Sequence, residues 1–333
     1  MKKTVSRWFE DAWYQEMYVT PWFTPLAMLY VDALRVRRFA YRLGLRKTHK
    51  LSAPVIIVGN LTVGGTGKTP LTIAIAEYLL AQGYRPGIIA RGYGGSSDDT
   101  APVAVDADAD PALVGDEAVV LARRSACPVA VCPDRPAAGR LLIEQHGCNV
   151  IVCDDGLQHL ALARDIEIVV IDGKRRFGNG YCLPVGPLRE PPERLRSVDF
   201  VVVNDGELND GEIAMRCVGD TLVNLVSGER KPLAAMKGTR CRAIAGIGNP
   251  GRFFDHLAAA GLDCDTKAFA DHHGFTAGDM AFNDGLPLIM TEKDAVKCRA
   301  FAQPHHWFLP IDARVDDGFF PSLLNLLKTR THG

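Results

Sequence analysis

Residues 62–70 read Thr62-Val-Gly-Gly-Thr-Gly-Lys-Thr-Pro70, and only Gly59-Asn-Leu61 separates them from the apolar run Pro54-Val-Ile-Ile-Val58. A buried strand, a glycine-rich turn and a Gly-Lys-Thr that opens a helix make a phosphate cradle. Glycines allow successive backbone N–H groups to converge on phosphate oxygens. Lys68 is placed to reach the outer phosphates, and the Thr69 hydroxyl to hold Mg²⁺. The apolar positions Leu71, Ile75, Tyr78 and Leu79 follow at helical spacing. With Pro70 in the first turn and Gly83 past the end, they predict a helix over about 69–82 whose positive N-terminus faces the anion. The strict pattern G-x-x-x-x-G-K-[ST] wants glycine where Thr62 stands, so a glycine turn that binds nothing is the alternative reading.

The pattern continues outward from this loop. Strands are expected at 54–58, 87–90, 102–105, 128–132, 149–153, 167–171 and 199–203, and helices at 69–82, 115–126 and 135–146. Alternation of this kind implies a mostly parallel sheet covered by helices on both faces, with ligands beyond the carboxyl ends of the strands. Residues 51–205 therefore read as a phosphate-loop α/β domain. Residues 206–237 are polar and read as an irregular connection with one strand-like run, Thr221–Val226. Residues 238–330 restart as a smaller α/β domain: strand 242–245, a G-I-G-N-P-G turn at 246–251, helix 252–260, strand 286–290, and helices near 294–302 and 320–329.

Residues 1–50 differ from the rest. They carry ten Lys/Arg against four Asp/Glu, while the remainder carries 28 against 35. They also hold three of the four tryptophans, Trp8, Trp13 and Trp22. Aromatics beside the basic run Arg35, Arg37, Arg38, Arg42, Arg46, Lys47 and Lys50 suit a helical segment lying on a membrane surface, and a packed hairpin with a solvated basic face is the alternative. The lysines at the start do not lead a removable signal, because Glu10, Asp11 and Glu16 interrupt the apolar stretch. The run 21–31 is too short to span a bilayer. With a net charge of −1 and no basic surplus in the body, nucleic acid is not an expected partner. Nothing points to a protein partner. Nine cysteines without a C-x-x-C read as reduced thiols of a cytoplasmic compartment, not a zinc site.

Chemistry collects at strand ends. Val150-Ile-Val-Cys-Asp154-Asp155 is a buried run that stops in two carboxylates, and a strand-terminal Asp near a phosphate loop helps hold Mg²⁺. Arg91-Gly-Tyr-Gly-Gly95 is a second glycine turn that offers Arg91 to a phosphate or is a plain turn. Gly115-Asp116-Glu117 opens a helix, where acids are favourable in any case. Leu188-Arg-Glu-Pro-Pro192 is a rigid loop carrying Arg189 and Glu190. Asp271-His272-His273 suits proton relay, metal binding or a structural role. Thr291-Glu-Lys-Asp294 is close to the guanine-reading N/T-K-x-D element, but its lysine comes one place late, which argues against a GTPase.

Taken together, the strings V-G-N-L-T-V-G-G-T-G-K-T-P (58–70), A-R-G-Y-G-G (90–95), G-D-E (115–117), D-D-G-L-Q-H (154–159), L-P-V-G-P-L-R-E-P (183–191), A-G-I-G-N-P-G-R-F-F (245–254), D-H-H (271–273) and T-E-K-D-A-V-K (291–297) resemble the tetraacyldisaccharide 4′-kinase family over nearly the whole chain. Thr62 is that family's own form of the loop. The resemblance implies transfer of the γ-phosphate of ATP, with Mg²⁺, to the 4′-hydroxyl of an acylated glucosamine disaccharide 1-phosphate, giving lipid IVA. It also implies a monotopic protein on the cytoplasmic face of the inner membrane. It makes Asp116 and His272 a proton-accepting pair and Lys68 a catalytic cation. Nucleotide phosphates would lie on Thr62, Val63, Gly64, Gly65, Thr66, Gly67, Lys68 and Thr69. The metal would fall to Thr69, Asp154, Asp155 and Glu190, and the substrate to Arg91, Tyr93, Glu117 and Arg189. The competing reading is a membrane-associated partition-type ATPase switch with no acceptor. Those proteins place a lysine just before the glycine pair, where this chain has Val63.

Overall fold

Val55–Gly59 is buried along its whole length, and it is the centre of the larger of two sheets. In the computed structural model the described residues are 13–14, 23–92, 95, 101–282 and 284–332. Among the described residues the elements run helix α1 (Thr24–Arg42), strand β1 (Val55–Gly59), α2 (Lys68–Ala81), β2 (Pro86–Ala90), β3 (Val103–Val105), α3 (Pro111–Val114), α4 (Asp116–Arg124) and β4 (Val129–Val131). It continues through α5 (Arg135–His146), β5 (Val150–Asp154), β6 (Ile166–Asp172), β7 (Phe200–Asn204), β8 (Glu212–Val218), β9 (Thr221–Asn224) and β10 (Arg230–Pro232). Then follow β11 (Arg240–Ala245), α6 (Pro250–Ala259), β12 (Asp263–Ala268), β13 (Leu288–Thr291), α7 (Glu292–Cys298), β14 (His306–Leu309), β15 (Asp312–Val315) and α8 (Phe319–His332).

The first sheet has the order β15-β8-β7-β6-β1-β5-β2-β4-β3, with antiparallel pairs only at its two edges. Of its seven parallel strands, β1, β2, β4, β5 and β6 are buried on both faces and read as continuous apolar runs, which is why the sequence shows them so clearly. Residues alternate between faces. Ile57, Ile89 and Ile151 pack with Leu142 of α5 and with Tyr30 and Val31 of α1. Ile56, Val58, Val152 and Ile168 pack with Leu71, Ile75 and Leu79 of α2 and with Phe319, Leu323 and Leu327 of α8. The second sheet runs β10-β9-β14-β13-β11-β12 and closes a separate core around Phe253, Leu257 and Ile289.

Residues 206–237, expected to be irregular apart from one strand-like run, contain β8, β9 and β10. Strand β8 extends the first sheet and β9 enters the second, so the chain crosses between sheets at Gly219-Asp220. It crosses back between β14 and β15 at Pro310-Ile311. The two crossings touch: a Cβ on Gly219 would come within 2.7 Å of the Ile311 Cδ1. Helix α8 then returns to cover α2 and the first sheet.

Leu323 has no exposed surface in that cover. Leu323→Ala is expected to lower stability by about 2–5 kcal/mol through lost burial and a residual cavity. Denaturant unfolding should show this as a lower midpoint with an unchanged slope.

Candidate active site

The glycine turn between β1 and α2 is held from three sides. Gly64 and Gly67 adopt φ of +102° and +99°, a region that costs other residues strain. Thr62 is bridged antiparallel to Leu188, and the Val63 N–H donates to the Pro187 carbonyl at 2.9 Å. Extended and paired in this way, position 62 has no need of glycine. The Thr66 carbonyl accepts from Asn204 Nδ2 at 2.9 Å. The open side of the turn is different. Nothing lies within 4 Å of where a Cβ would stand on Gly64 or Gly65. The buried Asn60 Oδ1 and Thr66 Oγ1 have no hydrogen-bond partner among the described residues. Buried polar atoms left in that condition are costly and mark a place that a polar ligand completes.

Strand β5 lies directly beside β1, in a register that sets Asp154 against Val58 at the mouth of the turn. Thr69 Oγ1 donates to Asp154 Oδ2 at 3.0 Å and Thr72 Oγ1 to Oδ1 at 3.1 Å. Burial pushes the Asp154 carboxyl up to about 6, and Glu117 and Asp155 add to this against Lys68 and Thr69. A deeply buried carboxylate crowded by two further acids is a site that a divalent cation relieves. Asp155, at φ +50°, turns the other way. Its carboxylate lies 3.6 Å from Lys68 Nζ and accepts from Arg189 Nη1 at 3.0 and 3.1 Å. Burial opposes its ionisation, but Lys68 and Arg189 overcome that and hold it at about 2.

Gly115, at φ +90°, turns the chain from α3 into α4 and makes Asp116 the first residue of α4. A Cβ on Gly95 would collide with the Leu113 carbonyl, so Gly95 lies against this corner. From the second sheet comes His272, at φ +56°. Its Nδ1 lies 3.1 Å from Asp116 Oδ2. Lys293 Nζ stands 2.8 Å from Glu117 Oε1, and Lys297 Nζ 3.6 Å from Asp116 Oδ2. Burial alone would raise the Asp116 carboxyl, but His272, Lys293 and Lys297 bring it to about 2. The hydrogen bond to Asp116 raises His272 above the usual histidine value, against the opposing effect of burial.

The structure thus brings together Thr69, Lys68, Asp154, Asp155 and Arg189 at the turn, and Asp116, Glu117 and His272 beside it. Arg91 is exposed at the end of β2, and Tyr93 lies outside the described residues. Glu190 is 4% exposed and is engaged by Arg38 at 2.7 Å, Gln158 at 2.9 Å and Arg194 at 3.7 Å. Arg37 and Arg38, read in the sequence as part of a basic run, line a recess with Gln158, Leu160 and Glu190. Sequence reasoning missed Asn60, Asn204, Lys293 and Lys297 as site residues. For the lysines a signal was present, since i, i+4 cations on one helix face share a partner surface.

Asp154 titrates upward on folding, so its ionisation disfavours the ligand-free fold. The folded chain binds the extra proton between about pH 4 and 6, and stability falls as pH rises through that window. Asp154→Asn is expected to stabilise the ligand-free protein by up to about 1–3 kcal/mol at pH 7 to 8. The advantage should fade below pH 4, and phosphoryl transfer should be lost. Melting temperature against pH for the two proteins checks it.

Comparison with known proteins agrees with this geometry. The family described as LpxK, tetraacyldisaccharide-1-P 4'-kinase, matches residues 19–328. The tetraacyldisaccharide 4'-kinase of Nitrosococcus oceani is 50% identical over 316 residues, 95% of this chain and 93% of that protein. That of Stenotrophomonas maltophilia is 49% identical and covers 95% of each. The crystal structure of an "apo" form LpxK from Aquifex aeolicus in complex with ATP superposes with a TM-score of 0.78 at 27% identity, covering 92% of this chain and 98% of that one. With its glycine turn, paired carboxylates and Asp116–His272 contact set in this fold, the chain belongs to the tetraacyldisaccharide 4′-kinase family.

Proposed function

We propose that the chain transfers the γ-phosphate of ATP to the 4′-hydroxyl of an acylated glucosamine disaccharide 1-phosphate, with Asp116 and His272 accepting the hydroxyl proton. The observation that carries this reading is the 3.1 Å contact between Asp116, at the start of α4, and His272, in the segment that follows β12 of the second sheet. A nucleotide switch without an acceptor has no use for a base there. With Nδ1 committed to Asp116, the ring presents Nε2 to a hydroxyl. The carboxylate fixes the tautomer and stabilises the imidazolium that forms.

The remaining residues position and neutralise. The backbone N–H groups of 64–68 and the start of α2 hold the β- and γ-phosphates, and Lys68 follows charge onto the transferring group. Thr69, Asp154 and Asp155 are the residues that suit Mg²⁺, which when bound neutralises phosphate charge and orients the γ-group. Glu190 serves instead to hold α1 through Arg38. Arg189 is kept by Asp155 within reach of a second phosphate. Arg91, Tyr93 and Glu117 complete the acceptor side. The half built on the first sheet, 51–218 with 312–332, holds the nucleotide and Asp116, and the half built on the second sheet, 221–309, brings His272.

Helix α1 supports a place on the cytoplasmic face of a membrane. Its inner face docks through Tyr30, whose hydroxyl donates to the Arg189 carbonyl at 2.9 Å, and through Arg38. Its outer face exposes Leu26, Leu29, Val36, Phe39 and Leu43 beside Arg35 and Arg42. No helix among the described residues is long and apolar enough to cross a membrane. A helix lying in the interface gives access to a substrate whose acyl chains stay in the bilayer.

Incubation with γ-labelled ATP and the acylated disaccharide 1-phosphate should move label into lipid. Lys68→Ala should abolish that transfer without changing the melting temperature by more than a few degrees. Label released only as inorganic phosphate would support the switch reading instead. Replacing Arg35, Arg42, Arg46 and Lys47 by glutamine should weaken sedimentation with anionic vesicles by about 1 kcal/mol for each cation near the surface. Neutral vesicles should show no change, and equal binding of both proteins to both vesicles would remove the electrostatic part of the reading.

A further inference from the structure

Helix α7 carries two lysines one turn apart, and both reach out of the second sheet to the start of α4. Lys293 meets Glu117. Lys297 does more. Its Nζ lies 2.9 Å from Asp294 Oδ1 and 3.6 Å from Asp116 Oδ2, with the Phe275 ring 5.1 Å away. Its side chain is 12% exposed, and that of Asp294 has no exposed surface. Asp294 in turn accepts the Gly246 N–H at 2.9 Å through Oδ2, and the Gly246 carbonyl accepts the His272 N–H at 3.2 Å. His272 then returns to Asp116. Lys297, Asp294, Gly246, His272 and Asp116 form a closed ring of contacts that spans both sheets.

We propose that Lys297 is a positioning residue of the phosphoryl transfer: one ammonium fixes the Asp116 carboxylate and, through Asp294 and Gly246, the backbone that holds His272. This rests on the reading of Asp116 and His272 as the proton-accepting pair. Two physical arguments carry it. Asp116 and Asp294 are both buried carboxylates, and a single cation between them offsets a repulsion that would otherwise separate them. His272 sits in a left-handed conformation that a non-glycine residue keeps only when its surroundings enforce it. The Asp294–Gly246 link is the part of the ring that enforces it, and Lys297 anchors that link. An arrangement fixed at both ends leaves the imidazole little freedom to drift from its working position, and small displacements of a catalytic group are expensive.

The charged groups that face His272 are Asp116 from α4, Asp271 on its own loop, and Lys293 from α7, the last itself paired with Glu117. Lys297 acts on this set through Asp116. The test compares the full chain as wild type, Lys297→Met, Asp116→Asn and the double variant, for kcat, KM for ATP and the pH profile of kcat/KM. Lys297→Met should lower kcat at least about tenfold with KM for ATP within about twofold, the mark of a lost transition-state arrangement. The acid limb should move to higher pH, because the Asp116 carboxylate, no longer shared with Lys297, stabilises the imidazolium more strongly. Lys297→Arg should bring the limb back. In the Asp116→Asn background, Lys297→Met should cost less than about threefold, since coupled residues do not lose independently.

Wild-type kcat and an unmoved limb in Lys297→Met would overturn the proposal, as would equal losses in both backgrounds. If Lys297→Met does not fold, the cycle run with Lys297→Gln, which removes the charge and keeps a polar side chain, decides by the same criterion of unequal losses. Asp116→Asn that keeps wild-type kcat would remove the base-pair reading itself. A crippled Asp116→Asn beside an unaffected Lys297→Met would remove this inference alone.

Discussion

Two crossings of the chain, at Gly219-Asp220 and at Pro310-Ile311, fix where the second sheet can stand. They run side by side, because β9 pairs with β14 in one sheet and β8 with β15 in the other. Gly219 has no side chain, and Ile311 fills that space. Every contact that builds the base side of the site depends on this frame. Asp116 and His272 are 156 residues apart in sequence, and nothing local draws them together. The contacts between the units combine ion pairs, Lys293 with Glu117, Arg252 with Asp172 and Arg124 with Glu292, with the buried Val296 of α7, which joins the apolar cluster of Ala118, Val119 and Val120. A cleft closed by such contacts suits a reaction that must exclude water while the phosphoryl group moves.

The site concentrates local cost. Asp154 is held against its preference for protonation, Asn60 and Thr66 leave buried oxygens without partners, and Asp155 and His272 adopt left-handed backbone. Each of these is unfavourable by itself. The cores on either side of the first sheet offset them. Ile56, Ile57, Ile75 and Ile151 have no exposed surface at all. Such a division is common where a rigid scaffold carries strained functional groups.

Much of this was legible in the sequence, for identifiable reasons. The parallel strands β1, β2, β5, β6 and β7 are buried on both faces, so their runs are nearly all apolar and their ends fall within a residue or two of expectation. The strands that escaped notice are those that lack this signature. β12, Asp-Cys-Asp-Thr-Lys-Ala, is an exposed edge, and β15 is a short antiparallel edge of alternating burial. β8 is half exposed along its length. The phosphate turn was legible because its chemistry is local. The base side was legible only through the family resemblance, because Asp116 and His272 acquire meaning from each other, and a helix-opening acid or an Asp-His-His triplet is ordinary on its own. Lys297 was further out of reach, since its partners lie on a neighbouring turn and on a different sheet.

Helix α8 carries a consequence for biogenesis. Phe319, Leu323 and Leu327 complete the apolar layer over α2, yet they are made only after the whole second sheet. The nucleotide-binding half is therefore split in translation order around the other half. While the ribosome is still producing β9 to β14, the face of β1 and α2 that α8 will cover stays wet. The second sheet, whose strands are contiguous from β9 to β14, can close first. Order of synthesis and order of consolidation thus differ in this chain, and the phosphate turn gains support from a helix that emerges only after the second sheet.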